Sequence, residues 1–436
     1  MKIKVCLLLL IFLTFQISSI KALSLNERVE AAAAWISSRK TLDSKGFLSI
    51  NEHKLYVEEN ALIFLALTLY RKTFTSNRYN EEIKTALSFI LSSQETLKKD
   101  FRHYYDLDIN AWGPSGKLFY WNAYVIEALS YSSFQLRFYG NLNESELIYC
   151  DQAIASVKSF LNAWGRCQKN DGSWVFEYEN KTSAELSENS ALLTSLLYLA
   201  LYEHFWGSDL NAFKKYVESA EKTLDWILNL QELNPESWGY GGFYQNKEKN
   251  LQDAYSNAKA AFALNSYLRV IPSLKEDFKS KYYKVRDSLT LWVKEFIEKM
   301  VDEYYGIYNS RGLLGVIKYP KGLLQASLTV TTLVETWIDM GDSKYRSLTE
   351  KMLNWIIGEN EVKKDLQSTQ GGFYEGIQKN QAIINQLSLT TTALTLTALI
   401  NCLLIGVPEI PFIQPILALA LIASFFIIRN NKRFKK

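Results

Sequence analysis

A unit of about 60 residues recurs six times along the chain, and this repeat constrains the fold more than any other feature of the sequence. Each unit begins with an amphipathic helical pattern in which an aromatic residue precedes Ile, Leu or Val. These aromatic residues are Trp35, Phe89, Phe160, Trp226, Trp292 and Trp355. A loop rich in glycine and aromatic residues follows, and a second helical pattern completes the unit.

The two helices of each unit have different predicted surroundings. The first helices carry Lys and Glu along one side, which should therefore face water. The second helices are rich in Ala, Leu, Ser and Thr and carry few charges, so both of their faces should be buried. Six such hairpins close naturally into a double ring with the uncharged helices inside. The sequence therefore predicts an all-α fold, an (α/α)6 toroid of six helical hairpins.

Short loop motifs resemble those of a known superfamily. Trp226-Ile227 is followed by Gln231 and then by WGYGGF, and the segment from Gln168 to Trp174 reads QKNDGSW. These motifs resemble the QW-type repeats of the terpene cyclase and protein prenyltransferase superfamily. In that superfamily the Gln and Trp tie outer helices to neighbouring loops, so the resemblance implies a structural role here. The helix count also resembles that of six-hairpin glycosidases.

The chemistry of the cyclases and prenyltransferases is not visible in the sequence. The acidic Asp-x-Asp-Asp run of the cyclases is absent, and DLDIN (106–110) is the nearest stretch. DLDIN also matches only half of a calcium loop. The histidines, His53, His103 and His204, show no ligand-like spacing to a cysteine. We therefore expect neither a metal nor another cofactor.

A carboxamide recurs near the predicted start of each inner helix, where sites in this architecture occur. The six residues are Asn60, Asn122, Asn189, Asn257, Gln325 and Gln386. Helix capping would account for the asparagines, because an Asn side chain accepts a bond from unpaired N–H groups. Gln is a poor cap, so a ring of ligand-contacting carboxamides is the second interpretation.

Carboxylates and aromatic residues accompany this ring in the sequence. They are Glu58, Glu59, Trp121, Glu188, Tyr240, Tyr244, Asp253, Tyr255 and Tyr374. Stacking faces, hydroxyl-binding groups and a carboxyl pair are what a carbohydrate site needs. We therefore expect the protein to bind or process a carbohydrate or another polar envelope polymer.

If the protein is an enzyme, we expect a glycoside hydrolase or lyase in which Glu188 and either Glu58 or Glu59 serve as acid and base. Two alternatives stay open. The first is a catalytically silent toroid that binds a protein partner at the cell surface. The second is a divergent enzyme of the terpene cyclase or prenyltransferase type.

Both ends of the chain carry expected targeting segments. Residues 1–22 have the layout of a secretory signal peptide, and residues 23–405 would form the toroid as an ectodomain. A linker, 406–411, would lead to an uncharged transmembrane helix, 412–428. By the positive-inside rule, the basic tail 429–436 would be cytoplasmic. We expect a single-pass cell-membrane protein whose ectodomain is outside and whose cavity opens away from the bilayer.

Net charge and cysteine positions limit the possible partners and the possible disulfides. The formal net charge of +3 argues against a nucleic-acid partner. Cys150 and Cys167 fall in one predicted helix, which would hold their thiols about 25 Å apart. A disulfide between them is therefore not expected.

Overall fold

The computed structural model describes residues 23–50, 53–140, 142–178, 181–207 and 209–406. The predicted signal peptide, transmembrane helix and basic tail lie outside the described residues. In chain order the helices are α1 (Leu25–Ser38), α2 (Val57–Phe74), α3 (Asn80–Ser93), α4 (Trp121–Tyr139), α5 (Glu144–Trp164), α6 (Leu186–Trp206), α7 (Leu210–Asn229), α8 (Ala254–Leu274), α9 (Lys279–Leu291), α10 (Leu323–Met340), α11 (Ser343–Ile356) and α12 (Leu389–Leu404). Helix α9 continues through a π-helical stretch, Trp292–Ile297, and a last turn, Glu298–Met300.

The even-numbered helices form a closed inner ring. Helix α2 contacts α4, and contacts continue through α6, α8, α10 and α12 back to α2. Each inner helix also packs against the outer helix that follows it, and α12 packs against α1 in the same way. The predicted (α/α)6 toroid is therefore confirmed for the residues that the structure describes.

Burial of the two helix types follows their sequence patterns. In inner helix α6, 18 of 21 residues are buried. In outer helix α7, only 7 of 20 residues are buried, and they lie on one face. The small hydroxyl residues let inner helices approach each other closely, as when Ser130 Oγ of α4 donates to Ser195 Oγ of α6 at 3.1 Å.

Glutamines of the QW-like motifs join neighbouring outer helices. Gln168 Nε2 donates to the Ser219 carbonyl at 2.9 Å, and Gln168 Oε1 accepts from the Ser219 hydroxyl at 2.8 Å. Gln367 Nε2 donates to the Arg28 carbonyl at 3.0 Å, which joins the last unit to α1. Trp174 is buried and donates through Nε1 to Thr223 Oγ1 at 3.1 Å. The predicted structural role of QKNDGSW is confirmed.

Short strands organise the loops at the rim where the inner helices begin. They are β1 (Lys54–Tyr56), β2 (Tyr104–Asp106), β3 (Ala111–Trp112), β4 (Phe176–Glu177), β5 (Thr182–Ser183), β6 (Leu251–Asp253), β7 (Ser310–Gly312), β8 (Gly315–Ile317), β9 (Lys321–Gly322) and β10 (Gly376–Ile377). Strands β1, β6 and β9, each directly before an inner helix, pair with β2, β7 and β10 from the next unit. This pairing fixes where α2, α8 and α10 start.

Two further expectations concern the described residues. Cys150 lies in α5, Cys167 lies in a 3₁₀ turn (Gly165–Cys167) directly after it rather than in the same helix, and both are free thiols. Helix α12 packs between α10 and α2, as predicted for an inner helix. Within the described ranges, no helix combines the length and the apolar character that crossing a bilayer requires.

Candidate functional site

Acidic and tyrosyl side chains from four inner helices converge at the rim where these helices begin, which we call the mouth. The mouth cluster consists of Glu58, Tyr124, Glu188, Asp253 and Tyr255. The Tyr124 hydroxyl of α4 donates to Glu188 Oε1 of α6 at 2.8 Å. Burial raises the pKa of Tyr255 on α8, and the charges of Glu188, Glu58 and Asp253 raise it further. Together with Glu127, whose charge has the largest such effect, these carboxylates lie within electrostatic range of Tyr255.

Glu58 lies in the first turn of α2, and the pKa of its carboxyl group is close to neutral pH. Burial raises the pKa of Glu58 to about 7, and the neighbouring charge of Glu59 adds to the effect. Its Oε2 is shielded from solvent and has no hydrogen-bond partner among the described residues. Its Oε1 lies 4.0 Å from His103 Nε2, and the side chain keeps 29% exposure. A carboxyl group with this pKa can give or take a proton near neutral pH.

Glu59 is directed elsewhere, although it is adjacent in sequence. Its Oε1 accepts hydrogen bonds from Ser49 Oγ and from Thr390 Oγ1 of α12, both at 3.4 Å. Successive residues on a helix do not share a face. Glu58, rather than Glu59, is therefore the carboxylate whose charge acts on Tyr255.

Glu188 is the most enclosed carboxylate of the mouth cluster. Glu188 is only 4% exposed. Its Oε1 accepts a hydrogen bond from the Tyr124 hydroxyl and its Oε2 accepts one from the Ser187 hydroxyl, each at 2.8 Å. Burial raises the pKa of Glu188, while these two hydrogen bonds lower it. Two fixed donors hold the carboxylate in one orientation.

Asp253 caps α8 and keeps one oxygen unused. Its Oδ1 accepts from the Ser256 N–H at 2.7 Å. Its Oδ2 is buried and has no partner in the part of the chain that the structure describes. Burial raises the pKa of Asp253.

A buried ion pair lies about one turn deeper, between Lys259 of α8 and Glu127 of α4. Their side chains are 7% and 5% exposed, and Lys259 Nζ lies 5.2 Å from the centre of the Tyr124 ring. The sequence analysis missed this pair. The available signal was a charge in the first half of an inner helix that carries one other charge, three residues after Tyr124 or four residues after Tyr255.

Trp121 does not offer the stacking face that was predicted for it. His103 covers one face, with ring centres 4.2 Å apart, and Phe119 stacks at 4.3 Å. Trp121 is 4% exposed, and its Nε1 donates to the Phe101 carbonyl at 2.9 Å. The partly exposed rings of this stack are His103 and Phe119, which the sequence analysis did not propose as site residues.

The four asparagines neither cap the inner helices nor lie on the cavity surface. All four are fully buried within the first turn of their helices, at Asn60, Asn122, Asn189 and Asn257. Each Oδ1 accepts from a loop N–H, as Asn189 does from Trp174 at 2.7 Å and Asn257 from Phe243 at 2.7 Å. These amides hold the loops, because the loop N–H groups would otherwise be unpaired and buried.

The two glutamines differ from the asparagines and from each other. Gln386 is exposed and lies before α12. In this last unit Thr392 takes the place of the asparagine, because its Oγ1 accepts from the Phe373 N–H at 3.0 Å. Gln325 lies in the first turn of α10, and its Nε2 is 3.5 Å from Asn309 Oδ1. Gln325 Oε1 is buried without a partner among the residues that the structure places.

Three predicted tyrosines lie away from the mouth cluster. The Tyr244 hydroxyl donates to Glu232 Oε2 at 2.8 Å within its own loop, and the Tyr240 carbonyl accepts from Arg311 Nη2 at 2.9 Å. Tyr374 lines a separate surface cleft of about 900 Å³ with Asp365. The structure brings none of these three into contact with Glu188 through a described hydrogen bond or ring contact.

Within the described ranges, no three His, Cys, Asp or Glu side chains form a group that could hold a metal ion. The DLDIN segment forms a turn, in which Asp106 Oδ1 accepts from the Asp108 N–H at 3.0 Å.

Comparison of the sequence with protein families and with curated proteins finds no match. Solved structures do match. A D-mannose isomerase aligns with a TM-score of 0.64 at 12% identity, over 87% of this chain and 97% of that chain. A cellobiose 2-epimerase from Bacillus thermoamylovorans aligns with a TM-score of 0.62 at 11% identity, over 86% of this chain and 98% of that chain.

A third structure is an α-1,6-mannanase from a Salegentibacter species, an inactive variant in which two consecutive aspartates are asparagines, in complex with α-1,6-mannotriose. It aligns with a TM-score of 0.60 at 12% identity, over 87% of this chain and 99% of that chain. At these identities the similarity shows the fold. The chain has the α/α-toroid fold of the six-hairpin glycosidase-like proteins, and these structures do not show the resemblance to terpene cyclases.

Proposed function

We propose that the protein binds and processes a carbohydrate at the mouth cluster. The observation that carries this proposal is Glu58, a carboxyl group with a pKa of about 7 and an unused oxygen, on the same rim as a second carboxylate, Glu188, that two hydroxyl groups hold in place. The similar structures support the proposal, because they are carbohydrate-processing enzymes with the same fold. None of the residues identified here requires a metal for acid–base chemistry.

The two carboxyl groups are suited to different roles. Glu58, protonated for part of the time at neutral pH, would give its proton to the leaving oxygen of a glycosidic bond. Glu188, held by two hydroxyl donors, would take a proton from the attacking water. The water oxygen would form the new bond to the anomeric carbon as the glycosidic bond breaks. A lyase reaction on the same class of polymer would use the same pair as base and acid.

Polarity of the mouth favours this proposal over isoprenoid chemistry. A cyclase would need a dry, aromatic-lined chamber with an isolated protonated acid. The mouth cluster instead contains three carboxylates and lies above the buried Lys259–Glu127 ion pair. The silent, protein-binding toroid remains the other outcome that an activity test can return.

We also propose that the toroid is exported and anchored by residues 412–428. The support is the uncharged sequence of this stretch and the basic residues after it. Helix α12 ends at Leu404, at the rim opposite the mouth. The mouth would then open away from the bilayer, towards polymers of the cell envelope or surroundings.

The test is binding of the full-length protein to a glycan array, followed by turnover assays on the glycans that bind. Glu188→Gln and Glu58→Gln should abolish most of the turnover, because each removes one proton-transfer group. Glu218→Gln, on the exposed face of α7, is the matched control and should keep full activity. Unchanged turnover in both mouth variants would refute the assignment, and a protein with neither binding nor turnover would favour the silent toroid.

A further inference from the structure

Exposed aromatic side chains cluster at the rim where the inner helices end. The aromatic patch consists of Phe138 and Tyr139 from α4 and Phe205 and Trp206 from α6. Phe138, Tyr139 and Phe205 are 46%, 49% and 48% exposed, although large apolar side chains are usually buried. A connected group of such residues on a surface marks an interaction site more often than isolated ones do.

The aromatic patch is continuous and has cations beside it. Ring centres are 4.7 Å apart for Phe138 and Tyr139 and 5.8 Å apart for Phe138 and Phe205. Lys72 Nζ lies 4.4 Å from the centre of the Tyr139 ring. The Arg137 guanidinium lies 4.9 Å from the Trp206 ring. Aromatic rings beside Lys and Arg are typical of surfaces in the headgroup region of a bilayer.

The chain leaves the toroid at this same rim. Inner helices run parallel, since Tyr124 meets Glu188 near the starts of α4 and α6, and Phe138 meets Phe205 near their ends. The end of α12 therefore lies on the side of the aromatic patch. There Arg346 Nη2 donates to the Gly406 carbonyl at 3.0 Å. Leu404 and Ile338, both at inner-helix ends, are each 51% exposed.

We infer that the aromatic patch docks on the surface of the lipid bilayer in which residues 412–428 would lie. This inference rests on the proposed membrane anchoring. The chain between Leu404 and Phe412 can span at most about 25 Å, so the rim cannot lie far from the bilayer. A bilayer covers the exposed rings and receives the nearby cations at its headgroups.

The opposite rim offers an internal comparison. The turn between β7 and β8 exposes Leu313 and Leu314, at 75% and 106% of their full exposure. This hairpin is also apolar, but β7 pairs with β6 at the start of α8 and therefore belongs to the mouth rim. A flat bilayer can contact only one rim of an anchored toroid. Fluorescent labels placed on the two rims therefore report which rim contacts the bilayer.

The test uses full-length protein reconstituted into vesicles of phosphatidylcholine and phosphatidylglycerol. In a Cys167→Ser background, F138C, F205C and L314C are labelled singly with an environment-sensitive fluorophore. Brominated acyl chains then quench any fluorophore that enters the interface. The fluorophores at 138 and 205 should shift to the blue and lose intensity with brominated lipid, whereas the fluorophore at 314 should be unaffected.

Each other outcome overturns the inference in a recognisable way. Quenching at 314 alone would place the mouth rim on the bilayer. No quenching at any position, in protein that alkaline carbonate does not extract, would refute docking and leave the anchoring intact. Release of the protein by carbonate would refute the anchoring and the docking together, while the carbohydrate proposal would stand.

Discussion

Ionisable side chains are buried at both ends of the inner helices, but only at one end are all the described acidic side chains paired with a cation. The far-end cluster, which lies at the ends of the inner helices, consists of Tyr131, Tyr198, Arg269, Glu335 and Asp339. Arg269 pairs with Glu335 and, at 3.0 Å between Nη2 and Oδ2, with Asp339. At the mouth, Lys259 pairs with Glu127, and no described ion pair with a Lys or Arg involves Glu58, Glu188 or Asp253.

This difference separates a structural cluster from a candidate site. At the far end burial lowers the pKa of Arg269, but the charges of Glu335 and Asp339 outweigh it, and both carboxylates form ion pairs with the guanidinium. At the mouth, burial raises the pKa of Glu58 and Asp253 without a compensating cation, and each keeps an unused oxygen. Buried polar atoms without partners are rare in folded proteins and call for a role. We assign that role to the ligand.

The largest expected effect is on turnover. Glu58→Gln should lower kcat by a factor of about 10² to 10⁴, the usual contribution of a general acid or base. The free energy of unfolding should not fall, because Gln removes a desolvated carboxyl group and keeps its shape. Steady-state kinetics with an array-selected glycan measures the first quantity, and denaturant unfolding measures the second. Loss of stability with retained kcat would reverse the assigned roles of the two ends.

The pH dependence of stability should report the raised pKa of Glu58. Its folded-state pKa of about 7 lies above the usual glutamate value of 4.5, so the folded state binds more protons between these values. Stability contributed by this site is therefore lost as pH rises from 4.5 to about 7, by at most about 3 kcal/mol and less with solvent screening. The Glu58→Gln protein should lack this loss when unfolding is compared at pH 5 and pH 7. A wild-type protein that becomes more stable relative to Glu58→Gln over that range would contradict the account.

Arg269→Met should destabilise the far end. It leaves Glu335 and Asp339 buried without their cation, at a cost of about 2 kcal/mol, since Arg269 keeps 34% side-chain exposure. Arg286→Met, on the exposed side of α9, is the matched control and should change stability little. Glycan binding should survive in folded Arg269→Met protein. Equal unfolding free energies for the two variants would contradict the structural role assigned to the far-end cluster.

The smallest effect should come from Tyr124→Phe. This change removes a hydrogen bond that lowers the pKa of Glu188, so the pKa of Glu188 should rise. The limb of the pH–rate profile that Glu188 governs should move to higher pH, with little change in stability. An unchanged profile would show that the Tyr124–Glu188 contact does not affect catalysis.

The periodic pattern predicted the helices, their inner and outer placement and the closure of the ring, because local charge patterning decides which helix faces water. The loops were predicted less well. Asn189 lies where a cap was expected, yet it binds the backbone of Trp174, a contact that depends on how the loop folds back. Tyr244 was predicted to belong to the site because it lies close in sequence to the start of α8. In the structure its hydroxyl instead donates to Glu232 within its own loop.

Long-range pairing accounts for the remaining differences. Lys259 and Glu127 are 132 residues apart and meet because the inner ring brings α4 and α8 together. Glu58 and Glu188 were proposed as a pair from residue type, and in the structure the charges of both raise the pKa of Tyr255. Their difference in environment, with one near His103 and one held by two hydroxyls, follows from packing that no local motif records.

The central claim is that the mouth cluster binds carbohydrate, and hydrogen–deuterium exchange with a bound glycan tests it most directly. With the strongest ligand from the array, the first turns of α2, α4, α6 and α8 should exchange more slowly, together with the loop around His103. The ends of these helices and the hairpin at Leu314 should exchange at the same rate with and without ligand. Protection confined to the hairpin, or to the cleft beside Tyr374, would contradict the account.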